Sequence, residues 1–271
     1  MEPALQRRIQ RYGWDKAASY YEASWIMQLK PAQDLLLQMA DLQEAEKVLD
    51  SACGTGLVSF KAREKVTDKG FVWGTDISEK MVEIASATAQ NKKISGIKFE
   101  RMDAEELTME SSFFDVAICA LGLMYVPDPL KALKEMLRVL KPGGRAAAAV
   151  WGQRGHCGWA EIFEIVDKRV ASEVCPMFFN LGNPDMLLLT FRAAGYTRIR
   201  DERLSTILQY DTAEQACGAA FAGGPLALAY NKFSAEEKQE VHKEYLLSIE
   251  RYKRGEGYEV PGEFVIALGI K

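Results

Sequence analysis

Short apolar runs and longer amphipathic stretches take turns along this chain. Val48-Leu49 and residues 71–75, 97–101, 113–120 and 145–151 are short runs that read as strands. Residues 57–66, 79–90 and 129–140 read as helices between them. Ser78 is placed to cap the second helix, and Asp128-Pro129 opens the third with an acid at its positive end. Lys141-Pro142-Gly143-Gly144 then ends that helix before an apolar strand. Residues 46–151 thus alternate strand and helix five times. This pattern predicts a doubly wound α/β fold, a mostly parallel sheet with helices on both faces. Ligands in such sheets lie outside the carboxyl ends of the strands, at the switch point. Asp50, Asp76, Asp103 and Cys119 all fall at predicted strand ends.

The flanks break this rhythm. Residues 1–45 are expected to be helical up to the first strand, with Pro31 opening a helix. Beyond the fifth strand, residues 152–158 form a glycine-rich loop carrying Arg154 and His156. Residues 159–174 read as an amphipathic helix, with Ile162, Phe163, Val166 and Val170 at helical spacing. A short helix over 186–194 ends at Gly195, and residues 196–210 are strand-rich. Residues 211–256 form a second helical block, with Ser234 capping a helix from 235 to about 251, and 258–270 reads as a last strand.

The candidate site begins at Asp50-Ser51-Ala52-Cys53-Gly54-Thr55-Gly56, between the first strand and the helix over 57–66. A strand, a small-residue turn and a helix N-terminus leave backbone N–H groups open to a ligand. A dinucleotide site would need G-x-G-x-x-G, but Ser59 stands where the last glycine would sit. Asp50 would also repel a pyrophosphate, whereas it suits a ligand with a cationic amine. The stretch resembles the first motif of class I S-adenosylmethionine-dependent methyltransferases, D/E-x-G-x-G-x-G, with Ala52 in place of the first glycine. Asp76 lies 22 positions after Gly54, close to the roughly 20 expected between a glycine turn and a ribose-binding acid. The run from Phe114 to Asp128 is similar to the fourth motif of small-molecule methyltransferases of the ubiquinone/menaquinone-biosynthesis superfamily.

The resemblance implies a Rossmann-like, seven-stranded sheet whose sixth and reversed seventh strands are the two late runs. It implies S-adenosyl-L-methionine as cofactor, S-adenosyl-L-homocysteine as product, and a small, apolar methyl acceptor. The cofactor set it implies is Asp50, Ala52, Cys53, Gly54, Gly56, Asp76, Ile77, Met81, Met102, Asp103, Ala104, Cys119 and Leu121. Within that set Asp103 would accept from the adenine amino group, the Ala104 N–H would meet the ring, and Met102 and Ile77 would cover its faces. The organisation expected is an N-terminal helical lid over 1–45 and a cofactor-binding core over 46–151. Residues 152–271 would supply acceptor-side helices and the final strands of the same domain. The aromatic residues Tyr12, Trp14, Tyr20, Tyr21 and Trp25 either pack that first segment on the core or close over the ligands. Tyr12, Tyr20, Tyr21 and Trp25 are the acceptor or lid candidates, with Tyr125 opposite. His156, just past the fifth strand, is the candidate base for an acceptor that must lose a proton.

Composition narrows the classes further. The 271 residues are 48% hydrophobic and 27% charged, with formal net charge −4 and no long basic run. Nucleic acid is therefore not an expected partner. The five cysteines, at 53, 119, 157, 175 and 217, form no C-x-x-C pair and read as free thiols in a reducing compartment. No zinc spacing is seen, so no metal is expected. The longest apolar run, 116–126, is shorter than the roughly 20 residues a membrane span needs, and the first ten residues are polar. A cytoplasmic protein is expected. An NAD(P)-dependent oxidoreductase on a related sheet and a non-catalytic cofactor-binding protein are the alternatives.

Overall fold

The computed structural model describes residues 2–170, 175 and 177–271. The first helix, α1 (Pro3–Ala40), is followed by β1 (Lys47–Ser51), α2 (Leu57–Val66), β2 (Phe71–Asp76), α3 (Glu79–Asn91) and β3 (Ile97–Arg101). Next come β4 (Phe114–Ala120), α4 (Pro129–Val139), β5 (Leu140–Trp151), α5 (Ile162–Asp167) and α6 (Met186–Ala194). The chain closes with β6 (Thr197–Tyr210), α7 (Ala213–Cys217), α8 (Ala227–Tyr230), α9 (Ala235–Ser248), β7 (Lys253–Arg254) and β8 (Gly257–Ile270).

The strands form one sheet in the order β3-β2-β1-β4-β5-β8-β6, with β7 beside β8. Pairs among the first five strands are parallel, whereas β8 runs antiparallel to both β5 and β6. This is the expected doubly wound sheet with a reversed late strand. It holds eight strands among the described residues instead of seven, because Lys253–Arg254 adds a two-residue ribbon at β8. The strand order turns back between β1 and β4, so their carboxyl ends flank a crevice. The middle of the sheet is dry: Val48, Leu49, Val116–Ile118 and Ala146–Val150 have no exposed surface.

Three expectations change in detail. Pro31 opens no helix: it lies inside α1, which continues to Ala40 and stops at Asp41, whose φ is 48°. A proline there removes one helical hydrogen bond. Burial of Leu29, Ala32, Leu36 and Leu37 against the core keeps the helix continuous. The second half of α1 is thus core, and the helix ends at Ala40, before the expected boundary at residue 45. Lys141–Gly144 do not separate α4 from its strand by a loop. Phe114 pairs with Leu140 and Val116 with Arg145, so residues 141–144 bulge out of β5. The helix expected over 159–174 is the shorter α5, and its expected end at Val174 lies outside the described residues.

Candidate active site

The loop after β1 makes the floor of the site. Ala52, Gly54 and Gly56 have φ of 61°, 55° and 89°, the left-handed region that costs an L-residue roughly 1–2 kcal/mol. The Ala52 methyl group has room because Gly122 faces it. A Cβ on Gly122 would come within 2.4 Å of the Ala52 Cβ. The methyl group of Ala52 and the bare Gly122 are therefore complementary.

Asp76 ends β2 and is 8% exposed. Its Oδ2 accepts the Gly54 N–H at 2.9 Å and its Oδ1 the Ser78 N–H at 2.8 Å. Burial pushes its carboxyl up to about 6, against the pull of those N–H groups. Asp50 lies at the base of the same loop with no exposed surface. The Ser59 hydroxyl donates to its Oδ2 at 2.5 Å, while its Oδ1 has no partner among the described residues. Burial, with the nearby Asp76 charge, raises Asp50 to about 7. Ser78 caps α3, accepting the Met81 N–H at 3.2 Å and donating to Asp15 Oδ1 at 2.6 Å, which docks α1 on that helix.

On the far side of the crevice, Asp103 follows β3. Arg7 of α1 donates through Nε to Glu105 Oε2 at 2.7 Å and lies 3.1 Å from Asp103 Oδ2. Glu105 is 1% exposed, and its Oε1 accepts the Asp128 N–H at 3.0 Å. One carboxylate thus joins α1, the loop after β3 and the start of α4.

These elements line a cleft of about 710 Å³ including its open mouth. Of the expected residues, Ala52, Gly54, Asp76, Ile77, Met81, Met102, Asp103, Ala104, Leu121, Tyr21 and Tyr125 line it. Asp50, Cys53, Gly56 and Cys119 lie outside the lining: all four are buried around the loop, and Gly56 caps α2. Tyr12 and Tyr20 are not brought to the cavity, being 45% and 56% exposed on the outer face of α1. Trp25 packs edge-on against Trp151 at 6.2 Å, in the core. His156 is also elsewhere. Its Nδ1 is 2.8 Å from Oε1 of the buried Glu263, whose Oε2 takes Arg203 Nη1 and the Gln153 N–H, each at 3.0 Å. Burial alone would raise Glu263, but these partners hold it below its ordinary value. This cluster ties the loop after β5 to β6 and β8.

The lining adds Arg7, Gln10, Trp14, Glu105, Ala120, Gly122, Val126 and Pro127. Arg7, Trp14 and Tyr21 are seven residues apart, and Gln10 falls between, so one face of α1 carries all four. That spacing was the available signal. Trp14 stands edge-on to Tyr125 at 5.1 Å and to Tyr21 at 5.9 Å. Burial raises both tyrosines well above their ordinary pKa, so they stay protonated and serve as walls or donors, not bases. Among the described residues no group of three His, Cys, Asp or Glu is placed to hold a metal ion. None of their helices is long and apolar enough to cross a membrane.

Residues 42–162 match the family model of a methyltransferase domain. Demethylmenaquinone methyltransferase of Listeria welshimeri is 32% identical over 127 residues, covering 47% of this chain and 54% of that protein. The enzyme of the same name from Lactococcus lactis is 39% identical over 123 residues, covering 45% and 49%. The chain thus spans about half the length of these curated relatives. Among solved structures, YcgJ protein of Bacillus subtilis superposes with a TM-score of 0.64 at 19% identity, covering 89% of this chain and 98% of that one. Phosphoethanolamine N-methyltransferase 2 of Haemonchus contortus, solved with S-adenosyl-L-methionine, gives 0.62 at 17%, covering 95% and 57%. These two likenesses speak to the fold.

Proposed function

We propose that this chain, which carries a class I, S-adenosylmethionine-dependent methyltransferase domain over residues 42–162, transfers the cofactor's methyl group to a small, largely apolar acceptor beneath α1. The observation that carries the reading is one cavity bounded by the left-handed loop after β1, the carboxylates after β2 and β3, and an aromatic wall. The residues present suit that cofactor. Asp50 Oδ1 is a buried carboxylate oxygen without a partner among the described residues, and from behind the lining its negative charge favours a ligand's ammonium group bound above the loop. Gly54 leaves the main chain open to approach.

Asp76 would take the ribose hydroxyls with the lone pairs its two backbone bonds leave free. Asp103, braced by Arg7, would accept from the adenine amino group, next to the Ala104 N–H. Ile77, Met81 and Met102 would cover the base, and Leu121 would line the path toward the acceptor. The bound cofactor supplies an electrophilic methyl group on a sulfonium. The chain's part is to hold the acceptor in line with it and to keep water out. Positioning of this kind lowers such barriers by roughly 7–11 kcal/mol. Trp14, Tyr21 and Tyr125 form the walls that do this. His156 takes no part, since Glu263 holds it away from the cavity lining.

The relatives' name makes quinols with an unmethylated ring the first candidates. Incubation with methyl-labelled cofactor and a panel of quinols, phenols and small amines tests the reading. Label in one small acceptor supports it. Cofactor binding with no transfer across the panel, or transfer only to protein, contradicts it.

A further inference from the structure

Gln10 stands in the middle of the wall that α1 gives the cavity, and it is 4% exposed. Its Nε2 donates to the Cys175 thiol sulfur at 3.3 Å. Its Oε1 is buried and has no partner among the described residues. One turn earlier on α1, Gln6 Nε2 reaches the Tyr125 carbonyl at 3.3 Å, and Arg7 holds Glu105 and Asp103. An amide oxygen buried without a donor costs about as much as a lost hydrogen bond, and native proteins keep few of them. Such an orphan in a ligand cavity is a place where a ligand's N–H or O–H completes the bonding.

Resting on the methyltransferase reading above, we propose that Gln10 is a specificity-determining residue whose Oε1 accepts a hydrogen bond from the methyl acceptor. The acceptor it selects is a neutral molecule bearing a hydrogen-bond donor on an apolar body. Neutrality follows from the wall. Gln10 has no charge to offset an ion, and its neighbours Trp14 and Tyr125 meet at 81° to form an apolar corner. The cofactor's polar groups are met elsewhere, by Asp50, Asp76 and Asp103. A donor pointed at Oε1 also fixes the acceptor's rotation, leaving the opposite edge free to face the methyl group.

Two probe pairs test this: phenol against anisole for an O–H donor, and indole against 1-methylindole for an N–H donor. Each is titrated calorimetrically with S-adenosylhomocysteine present and again without it. The wild type is expected to prefer the donor-bearing member of at least one pair by about tenfold. The pair that shows the preference tells O–H from N–H. In Gln10→Met, which keeps the length and loses the oxygen, both members should bind alike, with S-adenosylhomocysteine affinity unchanged. Gln10→Leu, should Met pack poorly, must give the same loss, because the readout is a ratio. A preference that survives both variants, or a wild type that binds neither pair or both members equally, overturns the proposal. Failure of the wild type to bind S-adenosylhomocysteine sinks the cofactor reading instead, and the titrations without it still decide on Gln10.

Discussion

Asp50→Asn should remove most of the pH dependence of cofactor binding. The Asp50 carboxyl has no exposed surface and stands near 7 in the free protein, chiefly through burial. An ammonium group bound above the loop stabilises the ionised form, so binding expels the proton. With a free value of about 7 and a bound form that stays ionised across the range, affinity at about pH 8 exceeds that at about pH 6 by about tenfold. Asp76, near 6, adds about a factor of two in the same direction. Near neutral pH, binding should release about half a proton, read from calorimetry in buffers of different ionisation enthalpy. The stability of the free protein should show the opposite slope. Folded Asp50 keeps a proton that the unfolded chain releases near 4, so this contribution is largest below that value and declines as pH rises toward 7. In Asp50→Asn only the twofold Asp76 slope should remain. A wild type whose affinity is flat across this range, or an Asn variant that keeps the tenfold slope, would refute the coupling.

Other residues give separate tests. Asp76→Asn replaces one of two acceptors with a donor facing a backbone N–H, so S-adenosylhomocysteine affinity and thermal stability should both fall, by about 1.5–3 kcal/mol together. An unchanged titration curve and melting point would remove Asp76 from the site. Gly122→Ala should destabilise by about 1–3 kcal/mol through clashes with the Ala52 methyl and the Cys119 sulfur, and Ala52→Gly should restore part of that loss. Additive effects in denaturant unfolding would show that the two do not interlock. His156→Ala should leave turnover unchanged and cost less than about 1 kcal/mol, because its ring is more than half exposed and Glu263 keeps Arg203 and Gln153. A fall of about 100-fold at intact cofactor affinity would instead make it the base.

The parallel core was legible because turn and cap residues punctuate the connections between its strands and helices. Gly54, Asp76, Ser78 and Asp128 announce turns and caps by their own chemistry, and α2 and β3 begin and end where the pattern puts them. The wall of the cavity was half legible. Tyr21 and Tyr125 were found by type, but Tyr12 and Tyr20 share that type and point outward. What separates them is phase on α1, fixed only once the helix is known to run unbroken through Pro31. Gln10 carried no signal of its own, since a glutamine among charged neighbours reads as surface. Ala52 in a glycine motif could not be explained from the chain, because its partner Gly122 comes from another strand end. His156 was placed correctly after the fifth strand, but Glu263, which captures it, lies 107 residues further on.

If the cavity at the carboxyl ends of β1, β2 and β3 is an S-adenosylmethionine site, calorimetric titration of the unmodified protein with S-adenosylhomocysteine and, separately, with NADH will show it most directly. S-adenosylhomocysteine should bind saturably at one site per chain, binding should be abolished by Gly54→Val, whose side chain would occupy a left-handed position on the cavity floor, and NADH should give no heat. Saturable binding of NADH, or S-adenosylhomocysteine binding unaffected by Gly54→Val, would contradict that assignment.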